Sequence, residues 1–76
     1  MNVSALPCPK LKNPDHGHFI PASCTTGKSP PTHHCILACD KGYKVDGRAV
    51  LTCTNTQQWN RQMPTCVQGK YFIGLN

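Results

Sequence analysis

Apolar and polar residues alternate most regularly between Cys35 and Cys53, in the stretch CILACDKGYKVDGRAVLTC. Cys35, Leu37 and Cys39 fall on one side of a period-2 pattern and Ile36 and Ala38 on the other, as in a half-buried strand. Lys41-Gly42 interrupts the pattern, and Tyr43 to Val45 starts a second strand. Beyond Asp46-Gly47, Ala49, Leu51 and Cys53 share one face, and Val50, Thr52 and Thr54 share the other. Asp-Gly between two apolar runs is a strong signal for a type I′ hairpin, whose central residues both need positive φ. The stretch is therefore expected to be a hairpin, with Cys39 and Cys53 on facing strands and directed toward the core.

The pattern is weaker elsewhere. Cys8 to Pro14 is punctuated by Pro9 and Pro14, which cannot donate to a ladder, so edge or irregular structure is expected there. Lys10 and Lys12 alternate and project from one face. Gly17 to Ala22 (GHFIPA) is the first predicted strand, with Phe19 and Ile20 as core candidates. Residues 23–34 (SCTTGKSPPTHH) read as a polar loop between Cys24 and Cys35. A bridge between those two would close a loop of about 11 residues, a constraint of order 3 kcal/mol in the chain-entropy account. Trp59 is the largest apolar side chain and Pro64-Thr65-Cys66 closes the cysteine framework. Tyr71-Phe72-Ile73, in the cysteine-free tail, is apolar, but nothing in the pattern chooses among added strand, interdomain contact and disorder. No window sustains a 3.6-residue apolar period.

Composition narrows the class. A single domain of 76 residues, 38% hydrophobic with one Trp, two Tyr and two Phe, has a thin core and needs covalent staples. Seven Pro and six Gly favour short strands and turns over helices. Six cysteines in such a chain read as a disulfide framework formed outside the reducing cytosol. Structural zinc is disfavoured: the only close pair, Cys35 and Cys39, has no matching second pair. Spacing alone does not choose among the connectivities that six cysteines allow. The opening Met-Asn-Val-Ser-Ala-Leu-Pro is too short and polar for a signal peptide, and no stretch is long enough to span a membrane. An excised fragment or mature product is expected. Asn2-Val3-Ser4 is an N-glycosylation sequon, which makes Asn2 a candidate acceptor.

Candidate chemistry adds little. The net charge of +5 favours anionic partners or merely solvates the surface. Lys41, Lys44 and Arg48 flank the Asp46-Gly47 turn and are the candidate polyanion contact. In a strand, His16 and His18 would share a face suited to copper or zinc, but only Asp15 lies nearby, so they are read as solvent-facing, with no metal and no cofactor. Asp15, Asp40 and Asp46 are the only carboxylates. They offer no acid/base pair, the serines lack a nucleophile-elbow pattern, and six bridged cysteines leave no thiol; an enzyme is not expected. Nucleic acid is disfavoured by compartment and by the few aromatics.

Cys8-Pro9, Pro14, Gly17, Cys39 followed by Gly42-Tyr43, Gly47, Leu51-Thr52-Cys53, Trp59 and Pro64-Thr65-Cys66 together resemble the sushi domain, also called complement control protein module or short consensus repeat. The resemblance covers residues 8–66, leaving 1–7 as a lead-in or linker and 67–76 as a tail or interdomain linker. It implies a small, all-β, disulfide-rich, elongated module with short antiparallel strands and termini at opposite ends. Expected core residues are Phe19, Leu37, Tyr43, Leu51 and Trp59. The family's usual pairing, carried onto this chain, implies Cys8–Cys53 and Cys39–Cys66. Cys24 and Cys35 then resemble the additional pair of the six-cysteine variant found in selectin-type repeats, which implies Cys24–Cys35. Gln57 departs from the pattern, since the family often has Gly near the tryptophan, and that turn is where a different shape is expected.

The resemblance implies a non-catalytic recognition module from a larger secreted or cell-surface mosaic protein, binding an extracellular protein in adhesion, matrix or complement-type recognition. One alternative is a free-standing basic miniprotein acting on heparin-like glycan or acidic lipid; another is a passive spacer. Loops on rigid scaffolds carry function, so Thr25, Lys28, His33 and His34 are the candidate specificity residues. Trp59→Ala or Cys39→Ser is expected to abolish stable folding, and Lys28→Ala is not.

Overall fold

A computed structural model describes residues 6–69. The elements are β1 (Gly17–Ile20), α1 (Ser23–Thr26), β2 (His34–Cys39), β3 (Tyr43–Asp46), β4 (Val50–Thr52) and β5 (Thr65–Gln68). They form a three-stranded antiparallel sheet in the order β1-β2-β4 and a two-stranded antiparallel sheet of β3 and β5. The radius of gyration is 14.8 Å, against about 11 Å for a globular chain of this length, so the module is elongated. The Cys39–Cys66 disulfide joins the two sheets, and Val45 and Cys66 of the smaller sheet pack against the core cluster.

The alternation in β2 holds through Leu37, with Cys35 and Leu37 buried and Ile36 exposed, and then fades, since Ala38 and Cys39 are both half-buried. Phe19 and Leu51 are buried opposite β2, and with Leu11, Cys24, Cys35 and Leu37 they form the core cluster. Leu11 is the core residue that sequence reading missed. Its only signal is its place between Lys10 and Lys12, whose outward alternation turns it inward; its amide donates to the Cys24 carbonyl at 2.8 Å. Ile20, expected in the core, is exposed, because it sits one position from buried Phe19 on a strand with one buried face. Tyr43, also expected in the core, is half-buried outside the cluster; β3 lies in the other sheet, and its ring stacks on His16 at 4.0 Å. Trp59 is half-buried, packed against the cluster, and its Nε1–H donates to the Pro9 carbonyl at 3.0 Å.

The Asp46-Gly47 hairpin does not form. β3 pairs with β5 (Val45 opposite Cys66), and β4 pairs with β2 (Cys35 opposite Leu51). Gly47 has φ +106°, but Asp46 stays in the strand, so the second positive φ of a type I′ turn is missing. The chain therefore crosses from one sheet to the other at this point. Cys39 lies opposite Gly17 rather than Cys53. Residues 23–34 are likewise more ordered than a polar loop. Ser23–Thr26 makes one helical turn, pinned by buried Cys24 and by Thr25 Oγ1 donating to the Ala22 carbonyl at 3.1 Å. Ser29 is buried and exchanges two backbone bonds with Cys8, at 2.8 and 3.1 Å.

Disulfides join Cys8 to Cys53, Cys24 to Cys35 and Cys39 to Cys66. The last explains Gly17. A Cβ there would lie 2.5 Å from Cys66 Sγ and 3.2 Å from the Ala38 carbonyl oxygen. Neither neighbour is a flexible side-chain end, so Gly17→Ala is expected to cost about 1–3 kcal/mol by overpacking, read as an earlier midpoint in urea; an unchanged midpoint would show that β1 shifts without cost.

Thr32 has φ +72°. Pro30 to His33 is a turn closed by the His33 amide on the Pro30 carbonyl at 3.1 Å. With Pro31 and then a positive φ in its centre, it is a type II turn, whose third position favours Gly or Asn. A β-branched residue is strained there. Thr32→Asn is therefore expected to stabilise by about 1 kcal/mol and to raise Tm by roughly 4–8 °C, readable by calorimetry. Gln57 also adopts a positive φ, 66°. Its turn thus keeps a conformation that Gly would adopt freely.

Candidate recognition surface

The framework fixes where side chains can be presented. On the β1-β2-β4 sheet, Phe19, Leu37 and Leu51 turn inward, so Ile20, Ile36 and Val50 turn outward. Ile20 lies directly opposite Ile36, and Ile36 directly opposite Val50. These three residues make one row across three strands, 47%, 45% and 38% exposed.

Both outer edges of this sheet carry side-chain caps. At β1, the Phe19 amide donates to Asn13 Oδ1 at 2.8 Å. At β4, the Thr52 amide donates to Asn60 Oδ1 at 2.9 Å, and the Asn60 amide donates back to the Thr52 carbonyl at 3.0 Å. Arg61 Nη1 donates to the Val50 carbonyl at 3.2 Å. Caps of this kind block the addition of another strand, which leaves the sheet's face, rather than its edge, for contact.

An open groove of about 540 Å³ lies where β3 ends and β5 begins, lined among others by Asp46, Arg48, Arg61, Met63, Pro64 and Thr65, and Arg61 links it to β4 through the Val50 carbonyl. Of the basic trio expected to act together, Arg48 lines this groove. Lys41 lies beyond the other end of β3, a strand about 13 Å long, with Lys44 on the strand between them. The structure thus strings the trio along β3 and brings Arg48 beside Arg61, which sequence reading did not single out. Only the fold places these two arginines together, because the chain crosses between sheets at Gly47.

The loop candidates separate as well. Lys28 is exposed. Thr25 bonds back into its own helical turn. His33 is half-buried, with Nε2 3.7 Å from Cys24 Sγ. His34 belongs to β2, where its Nδ1 pairs with Thr52 Oγ1 at 2.8 Å. Cys24, His33 and Cys35 bring ligand-type atoms within 4.8 Å of one another, but both sulfurs are spent in one disulfide and offer no thiolate. His16 lies outside β1 with φ 65°, so strand alternation does not align it with His18. Asn2 and the apolar tail at 71–73 lie outside the described residues. Val67 and Gln68, placed in the tail by sequence reading, belong to β5.

The family model described as Sushi repeat (SCR repeat) matches residues 8–66. The chain belongs to the sushi repeat family. It is 39% identical over 61 residues to the "Sushi, von Willebrand factor type A, EGF and pentraxin domain-containing protein 1" of Rattus norvegicus, covering 80% of this chain and 2% of that protein. It is 32% identical over 76 residues to the "Sushi repeat-containing protein SRPX2" of Bos taurus, covering all of this chain and 16% of that protein. Against the E-selectin of Sus scrofa it is 31% identical over 62 residues, covering 82% of this chain and 13% of that protein. The chain thus spans at most 16% of the length of these three relatives. Sushi repeats are generally recognition modules without catalysis, and this one is secreted or an extracellular part of a cell-surface protein, in keeping with its three disulfides. Among the described residues no helix is long and apolar enough to cross a membrane.

Proposed function

We propose that this sushi repeat is a rigid display module of a larger mosaic protein and that it binds another extracellular protein in adhesion, matrix or complement-type recognition. The observation that carries the reading is the cystine-fixed scaffold, with three bridges in a chain of this length and an outward face whose side chains are held in register. A preorganised surface loses little ordering entropy on binding, so a modest contact area suffices for specificity. The stringing-out of Lys41, Lys44 and Arg48 along β3 favours a protein partner over heparin-like glycan or acidic lipid, which reward dense charge.

The test is an array of purified extracellular domains probed with the chain fused to an antibody constant region, with heparin in excess. Saturable binding to a protein, undiminished by heparin, is the expected result. Binding to no protein, together with retention on a heparin column beyond roughly 0.3 M salt, would transfer the role to polyanion contact.

A further inference from the structure

We infer that the partner contacts the outer face of the β1-β2-β4 sheet and the adjoining groove through a segment that places a carboxylate beside an aliphatic side chain. This rests on the protein-recognition reading above and names the chemistry of its partner. Six large apolar residues are exposed among the described residues: Leu6, Ile20, Ile36, Val50, Met63 and Val67. Three of the six form the cross-strand row, and Met63 lines the groove next to it. Scattered exposed aliphatics are ordinary, whereas a contiguous set rimmed by polar groups marks an interaction site.

The rim supplies the charge. Arg48 and Arg61 line the groove against one carboxylate, Asp46, which leaves it net positive. The Arg61 guanidinium is anchored on the Val50 carbonyl, at the end of the apolar row, and this one bond leaves most of its donors for a ligand. A fixed guanidinium is suited to bidentate carboxylate binding. An aliphatic side chain on the row and a carboxylate on Arg48 or Arg61 satisfy both halves of the surface. The capped edges at Asn13 and Asn60 argue against an added strand, so recognition runs through side chains.

The experiment selects a phage-displayed random dodecapeptide library on the immobilised native chain, and measures synthetic versions of the selected peptides by fluorescence anisotropy. Enriched peptides are expected to carry Asp or Glu close to Leu, Ile or Val. Arg61→Ala, Arg48→Ala and Ile36→Thr are each expected to weaken them about tenfold or more, while Lys12→Ala leaves them unchanged. Threonine keeps the β-branch that suits the strand, and Tm is recorded for every variant. Amide shifts of wild-type Ile20, Ile36 and Val50 on peptide addition give a readout that needs no variant. The inference is overturned if no peptide is selected, if the selected peptides lack the acidic–aliphatic pairing, or if their shifts fall on residues 25–34. Any of these outcomes with array binding intact leaves protein recognition standing and removes only this surface; loss of array binding removes both.

Discussion

Replacing Cys8 and Cys53 together by alanine is expected to lower the unfolding free energy by about 4 kcal/mol. The bridge joins residues 45 apart, the largest separation of the three disulfides, so it removes the most freedom from the unfolded chain. It also ties the β-bridge at Ser29 to the β-bridge at Trp59, and both of its cysteines are buried. Alanine is the right replacement, since serine would bury hydroxyls. A domain of this size has about 4–11 kcal/mol of stability in all, so the variant sits at the margin of folding at 37 °C. Urea titration followed by near-ultraviolet circular dichroism reads the effect; a loss below about 1 kcal/mol would show that packing, not cross-linking, carries this end of the module.

Phe19→Ala is expected to cost about 3–5 kcal/mol. Phe19 is 2% exposed and belongs to the core cluster with Leu11, Leu37 and Leu51. Its neighbour Ile20 is 47% exposed on the opposite face, and Ile20→Ala is expected to cost under about 1 kcal/mol. The contrast between adjacent positions measures the register directly. Similar losses at both would mean that β1 is buried on both faces, and the outward aliphatic row would not exist.

Much of this architecture was legible in the residues. Alternation through Cys35–Cys39 and Leu51–Cys53 assigned the buried faces, because burying one face of a strand imposes period 2. The cysteines, Gly17, Trp59 and Pro64 carried the resemblance to the family. What alternation cannot supply is partnership. A strand's own sequence names its buried face but not its neighbour, so Asp46-Gly47 read as a local hairpin while β3 paired with β5 across intervening chain. The same limit hid the recognition surface. Ile20, Ile36 and Val50 are far apart in sequence, as are Arg48 and Arg61, and only the sheet register and the crossing at Gly47 bring each set together. Tyr43 was misplaced for a related reason. It was expected in the core, but it lies half-buried in the two-stranded sheet, opposite Gln68, with its ring stacked on His16.

The central claim is that a folded, cystine-fixed surface recognises protein. It is tested most directly by calorimetric titration of the tightest-binding array ectodomain with two forms of the chain, one native and one reduced and alkylated at all six cysteines. Without its bridges the chain must fold in order to bind, which multiplies the affinity by the fraction folded. The account predicts saturable binding by the native chain and a loss of about a hundredfold or more for the alkylated one. Equal affinities would contradict it and would place recognition in a linear segment that needs no scaffold.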